Sequence, residues 1–234
     1  MNFFDASIMR CLNGLSQTSR SFDSLMIFIV DNSFVKGVII VSLLWFFWFQ
    51  ESSKITFNRE RVIICIVSCF ISLFVARALA LTLPFRLRPF FNSGINFIKP
   101  LGARAPELSI WSSFPSDNAV MFFSLATGIF LISRRVGLLT YLYVLAVICF
   151  PRVYLGYHYP TDILAGAILG ISITYLISIE KVSRPVIQKV FRFSNKYTGL
   201  FYTLCFLLIY EISRMFIEVR WAGTTLLHLL HIHV

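Results

Sequence analysis

Charge is scarce in this chain. Only 14% of its 234 residues are Asp, Glu, Lys or Arg, against 57% hydrophobic, and the mean hydropathy is +0.77. A water-soluble domain of this length needs a more polar exterior than that, so much of the outside is expected to face lipid. Acidic residues are scarcer still, 11 against 21 Lys and Arg, for a net charge of +10. A basic chain raises the question of nucleic acid. Here the charges sit in short clusters between apolar runs, which is the arrangement of membrane topology signals, and no nucleic-acid partner is expected.

Other absences narrow the reading further. The five cysteines (Cys11, Cys65, Cys69, Cys149 and Cys205) are odd in number and scattered. Cys65 and Cys69 share a helix face but have no His or further Cys close in sequence, so neither a disulfide framework nor a thiolate metal site is indicated. No linker, internal repeat or low-complexity stretch divides the chain, and one compact membrane domain is expected. The first residues lack the basic start, continuous apolar core and small-residue cleavage site of a signal peptide, so translocation is expected to rely on later spans.

What is present is a series of apolar runs. Residues 3–30 mix Phe3, Phe4, Ile8 and Met9 with Asp5, Arg10, Arg20 and Asp23, a pattern that suits an amphipathic helix lying at the membrane surface. Spans are expected at about Phe34–Phe49, with Lys36 at its edge and an aromatic cluster at its end, and at Val62–Leu83, Ala119–Ser133, Val136–Phe150, Pro160–Ile179 and Tyr197–Phe216. The expected fold class is therefore all-α, a polytopic bundle of about six transmembrane helices. An interfacial segment 1–33 precedes a membrane domain 34–218, and a tail 219–234 follows. Between spans five and six, residues 181–196 read as a basic loop.

The loops after spans one, three and five hold Lys54, Arg59 and Arg61, then Arg134 and Arg135, then Lys181, Arg184, Lys189, Arg192 and Lys196. With alternating helices these lie on one side, which the positive-inside rule makes cytoplasmic. Arg86, Arg88, Arg104 and Arg152 then fall on the outer side, against the topological bias, and call for another explanation.

Three outer segments carry chemistry. The first is Phe85-Arg86-Leu87-Arg88-Pro89-Phe90, the second Phe114-Pro115-Ser116-Asp117-Asn118-Ala119, and the third runs from Arg152 through His158 and Pro160 to Asp162. Pro160 suits the first turn of a helix. His158 stands just before that helix and Asp162 about one turn inside it, so the carboxylate could hold one imidazole nitrogen and leave the other free to attack phosphorus. Arg88 and Arg152 offer planar guanidinium groups for phosphate oxygens, and Ser116 is an N-cap candidate where helix N–H groups favour anions. Singly, each feature has an ordinary structural reading; together on one face they point to phosphoryl chemistry.

These segments resemble the type-2 phosphatidic acid phosphatase superfamily. Its pattern is Lys, six residues, Arg-Pro; then Pro-Ser-Gly-His; then Ser-Arg, five residues, His, three residues, Asp. Arg88-Pro89 matches the end of the first part, Pro115-Ser116 the start of the second, and Arg152, His158 and Asp162 the third at the family's spacing. The resemblance implies that His158 is the nucleophile, forming a phosphohistidine, that Asp162 orients it, and that Arg88, Arg152 and Ser116 bind the phosphoryl group. It implies no metal and no cofactor; His228, His231 and His233 form a separate tail cluster able to bind metal.

The chain departs from that pattern at three places. Leu81 stands at the first-part Lys, with Arg77 and Arg86 as candidate replacements; Arg86 is the closer in sequence and, with Asp117, is counted among the candidate phosphate-binding residues. Pro151 replaces the third-part Ser. Asn118 stands where the acid His belongs, and an amide cannot deliver a proton at neutral pH. General acid catalysis is worth about 10²–10⁴-fold, or roughly 3–5 kcal/mol. The loss weighs most on an alkoxide leaving group and least on a phosphate, whose relevant pKa is about 6. Asp117 is the alternative acid. The expected activity is hydrolysis of a lipid (pyro)phosphate, above all a polyprenyl pyrophosphate, on the outer face of a bacterial cytoplasmic membrane. A lipid-linked phosphotransferase and a non-catalytic lipid-phosphate binder are the alternatives.

Overall fold

The apolar runs fold into helices throughout. The computed structural model describes residues 2–51, 53–106 and 111–217, so the histidine cluster and the tail from residue 219 lie outside the described residues. Among the described residues ten α-helices follow in order: α1 Phe3–Asn13, α2 Arg20–Asp31, α3 Ile39–Phe49, α4 Ile55–Thr82, α5 Asp117–Ile132, α6 Arg134–Tyr143, α7 Phe150–Tyr154, α8 Pro160–Ser178, α9 Glu180–Lys196 and α10 Thr198–Ser213. Among the described residues there is no strand.

The chain is a multi-pass membrane protein. Ile55–Thr82, Arg134–Tyr154 and Pro160–Ser178 are each long and apolar enough to cross a membrane. Arg20–Asp31 with Phe34–Phe49 passes the same test as a pair bent by 65°, and Asp117–Ile132 and Thr198–Ser213 are shorter apolar helices. With the bent pair as one crossing, this agrees with about six spans. The fourth is continuous past Phe150 because a π-helical stretch, Val144–Cys149, joins α6 to α7. Pro151 has no N–H to give the preceding turn, and such a local widening accommodates it. Arg152 thus sits in the last turn of a span and not in a loop.

The core is the α5–α8 pair. A Cβ on Gly170 would lie 2.4 Å from the Val120 carbonyl oxygen, so these backbones approach as closely as only small residues allow. One turn further on, Ser124 and Thr174 hydroxyls hydrogen-bond across the same seam at 2.8 Å. α4 closes the other side of α5, with Cys65 and Cys69 fully buried between them.

Two expectations are revised. Residues 181–196 form a helix, α9, and not a loop: Ser183 and Ile187 are buried along one side while its charges face outward, the pattern of an amphipathic helix. The N-terminal segment is two helices, and each buries a carboxylate that was expected to face water. Asp5 and Asp23 are fully buried, whereas Phe3 is 89% and Phe28 54% exposed. Met9 is buried with Asp5, and Met26 and Val30 with Asp23, while Arg10, Arg20 and Asp31 are exposed along with those phenylalanines, so each helix docks through a mixed face of one carboxylate and apolar side chains.

Candidate active site

The three outer segments meet at one end of the bundle, pinned by main-chain hydrogen bonds. Ser113 N–H donates to the Arg86 carbonyl at 2.9 Å, Phe90 N–H to Gly156 at 2.8 Å and Ser116 N–H to Asp162 at 3.1 Å. Gly156 turns the third segment with φ of 72°, a conformation that costs other residues more.

His158 is 5% exposed. Its Nδ1 lies 2.9 Å from the Ser113 carbonyl oxygen. A carbonyl can only accept, so Nδ1 carries the proton and Nε2 holds the lone pair. Nε2 in turn lies 3.2 Å from Arg88 Nη1. Asp162 Oδ2 is 3.7 Å from Nδ1, too far for a hydrogen bond. The orienting group is the Ser113 carbonyl, and Asp162 acts through it, because the Ser113 hydroxyl donates to Asp162 Oδ2. Burial pushes the His158 pKa below its ordinary 6.5, opposed by the Asp162 carboxylate and assisted by the Arg88 charge. The imidazole is neutral at neutral pH, the state a nucleophile needs.

Asp162 is fully buried. Its Oδ2 also caps α8, accepting from Tyr159 N–H at 2.8 Å, and its Oδ1 pairs with Arg86. Arg86 reaches Asp5 Oδ2 of α1 at 2.6 Å and Thr161 Oγ1 at 2.8 Å, and lies over the Tyr159 ring at 4.1 Å. This corrects the assignment of Arg86 to the substrate phosphate. Its guanidinium joins two buried carboxylates and does not line the cavity in front of His158. Arg77, the other candidate, pairs with Asp117 and stacks over Trp111 at 5.0 Å.

That cavity has a volume of about 460 Å³ and is lined by Arg88, Arg152, His158, Asp117 and Asn118, as the sequence suggested, and also by Lys36, Arg104 and Asp31. Arg88 donates to the Tyr157 carbonyl at 2.8 Å. Burial lowers its pKa below the ordinary guanidinium range, yet a guanidinium stays protonated at neutral pH. Arg152 is 4% exposed and donates to the Ile148 carbonyl at 2.6 Å. Ser116 is fully buried at the N-cap of α5, but its hydroxyl makes no cap hydrogen bond and has no partner among the described residues. The Asn118 side-chain oxygen is likewise buried without a described partner.

Lys36 and Ser113 were not assigned from sequence. Lys36 comes from a π-helical turn, Phe34–Val38, between α2 and α3, and is 7% exposed. A cation at the edge of an apolar run was the available signal, since such residues are costly in membranes and are retained for function. Ser113 acts through its backbone carbonyl, for which no side-chain pattern exists. The arrangement offers a neutral imidazole lone pair beside four cationic side chains, sufficient to bind a polyanionic phosphate and attack phosphorus. Among the described residues no three His, Cys, Asp or Glu side chains are grouped to hold a metal ion.

The family model of the PAP2 superfamily matches residues 61–181. Undecaprenyl-diphosphatase BcrC of Bacillus subtilis is 26% identical over 186 residues, 79% of this chain and 89% of that protein. Putative undecaprenyl-diphosphatase YbjG of Escherichia coli is 32% identical over 166 residues, 70% and 76% of the two chains. An undecaprenyl-diphosphatase of Sulfolobus acidocaldarius is 30% identical over 135 residues, 57% and 62% of the two chains. No solved structure matches the chain.

Proposed function

The chain belongs to the PAP2 superfamily, and on that premise we propose that it hydrolyses a polyprenyl diphosphate, the class named in its relatives, at the outer face of a bacterial cytoplasmic membrane. It is a phosphoric anhydride hydrolase. His158 Nε2 attacks the terminal phosphorus, and the bond from that phosphorus to the bridging oxygen breaks. The polyprenyl monophosphate leaves, and the phosphohistidine is then cleaved by water to free phosphate. Arg88 and Arg152, which line the cavity, hold the terminal phosphoryl oxygens. The Ser113 carbonyl stabilises the imidazole proton as positive charge develops on the ring.

Asn118 fits this substrate. A departing phosphate monoester needs no proton from a general acid, because its pKa of about 6 leaves it anionic at neutral pH. An amide N–H donating to it suffices. The outer-face location is supported by the basic segments at Lys54–Arg61, Arg134–Arg135 and Lys181–Lys196, which alternate along the chain with the site-bearing segments. In that orientation α1 lies at the outer interface with its exposed Phe3 in lipid, and α2 is the outer arm of the bent first crossing.

The observation that carries the proposal is the buried His158, with Nδ1 held by a carbonyl and Nε2 facing Arg88. The test is phosphate release from a polyprenyl diphosphate by the detergent-purified protein, beside a lipid monophosphate, His158→Ala and Asn118→His. Release is expected to vanish in His158→Ala, and Asn118→His is expected to raise the monophosphate rate. Monophosphate turnover exceeding diphosphate turnover in the unmodified protein would overturn the anhydride preference. No release from any substrate, even with Asn118→His, would favour a phosphotransferase or a binder.

A further inference from the structure

A lipid diphosphate has two parts, and the cavity beside His158 accommodates only the charged one. On the side of α5 where Asp117 emerges, the cavity borders a second space, and the two share Asp117 and Met215. The second space adjoins a third and larger one, with Phe70 and Phe216 common to both. The third has a volume of about 860 Å³, and its lining is apolar apart from Lys189 and Glu211. The three lie side by side in series, each sharing two wall residues with the next, from the phosphate end of the bundle to its apolar flank.

One helix face runs the length of this series. In the large groove α4 presents Val62, Ile63, Ile66, Val67 and Phe70. In the middle space the same helix presents Phe70, Leu73, Phe74 and Arg77. These positions recur at i, i+3, i+4 and i+7, a single stripe along an α-helix. From Val62 to Arg77 the stripe rises about 22 Å, against a hydrocarbon thickness of about 30 Å. The opposite wall is α10, where Phe201, Leu204, Cys205 and Leu208 repeat the same spacing. Leu204 and Leu207 are about half exposed, at 47% and 53%, so the groove opens sideways toward lipid.

The upper end of the stripe is charged. Arg77 pairs with Asp117, and Asp117 is the residue that the middle space shares with the phosphate cavity. The chain at this joint turns through Met215 and Phe216, both with φ of 58°, a conformation that non-glycine residues adopt only where surrounding structure holds them in it.

We infer that α4 and α10 form a track for the isoprenoid chain of the substrate, running from the phosphate cavity past the Arg77–Asp117 pair into the apolar groove. The inference rests on the lipid-diphosphatase reading above and adds where the tail lies. Continuity with the phosphate cavity identifies the occupant: a molecule with its diphosphate beside His158 and a long apolar chain fills both spaces at once, whereas a bulk lipid fills only the groove. Arg77 also has a role here, because its pairing with Asp117 sets the width of the joint through which the first isoprene units pass.

The test compares hydrolysis of a long-chain polyprenyl diphosphate with that of geranyl diphosphate, which is too short to reach the groove. Val67→Trp and Ile66→Trp put an indole into the track, and Leu164→Trp, on the lipid face of α8 at 52% exposure, is the control. In the two groove variants the ratio of long-chain to short-chain kcat/KM is expected to fall by at least about tenfold, the scale of misfit in an apolar pocket. In Leu164→Trp the ratio is expected to hold. An unchanged ratio in both groove variants, or an equal fall in the control, overturns the track. A second measurement does not need turnover: a polyprenyl diphosphate with a photoreactive group on its tail is crosslinked to the full-length protein and the adducts are mapped. Adducts within residues 62–77 and 201–216 support the track, and adducts confined to other helices overturn it. Capture on these residues without phosphate release keeps the track and removes the hydrolase reading. Phosphate release without capture does the reverse, and neither capture nor release overturns both.

Discussion

Removing Arg86 should unfold this protein before it impairs substrate binding. Its guanidinium lies between Asp5 Oδ2 at 2.6 Å and Asp162 Oδ1, with the Thr161 hydroxyl at 2.8 Å. Both carboxylates are fully buried, whereas the Arg86 side chain keeps 27% exposure. In Arg86→Ala two buried charges lose their cation, and breaking a buried pair from one side costs about 3–5 kcal/mol. For a chain of this size that corresponds to a fall of about 6–20 °C in Tm. Asp5→Asn removes one carboxylate and leaves Arg86 on Asp162, so it should cost less, about 1–2 kcal/mol. The double variant has one stranded carboxylate and not two, and should be more stable than the sum of the singles by at least about 1 kcal/mol. Thermal unfolding in detergent at one fixed heating rate reads the midpoints, and KM for a polyprenyl diphosphate, measured well below them, reads binding. Arg86→Ala with an unchanged midpoint and a KM raised tenfold would refute this reasoning and restore Arg86 to the phosphate site.

The remaining expectations concern the cavity and the core. Because burial holds the His158 pKa below 6.5, kcat/KM should stay level as pH falls to 6.5 and decline only below it; an acid limb centred at or above 6.5 in a pH–rate profile would contradict this. The same shift makes unfolding easier in acid. The unfolded imidazole takes a proton first, so stability is full above pH 6.5 and falls below it by up to about 1.4 kcal/mol per pH unit. Lys36→Met removes one cation from the cavity and should raise KM for the diphosphate about 10- to 100-fold, the scale of one charged hydrogen bond; an unchanged KM would make Lys36 structural. Gly170→Val should force α5 and α8 apart, given the 2.4 Å approach to Val120, and should lower both membrane abundance and Tm; wild-type values for both would show that the seam can relax.

The sequence made legible what is written in local periods. Apolar runs marked the spans because every residue of such a run meets the same solvent. The spacing Arg152, His158, Asp162 marked the site because one turn and one helix start carry all three. The fourth span was expected to end at Phe150 but runs on through Pro151 to Tyr154, since a π-helical stretch absorbs a proline that an α-helix would reject. The helix α9 was hidden by its basic residues, which outnumber the few apolar positions that dock it.

What stayed hidden is pairing across distance. Asp5 and Arg86 are 81 residues apart, Asp5 and Thr161 156, and Tyr154 donates to Asp23 across 131. Read locally, Asp5 and Asp23 belong to the wet face of an interfacial helix, because a carboxylate near a membrane is cheapest in water. The fold reverses that choice: each carboxylate finds enough donors inside to replace its hydration, Arg86 and Thr161 for Asp5, Tyr154 and the Leu101 N–H for Asp23. The consequence reaches the chemistry. Asp5 shares Arg86 with Asp162, Asp162 accepts the Ser113 hydroxyl, and the Ser113 carbonyl fixes the tautomer of His158. A residue in the first turn of the chain is thereby joined, through three intermediates, to the imidazole of the candidate site, although α1 lies outside the region that the family model covers. Local pattern located the histidine proposed as nucleophile, but what holds it in register comes from a segment whose sequence resembles a surface anchor.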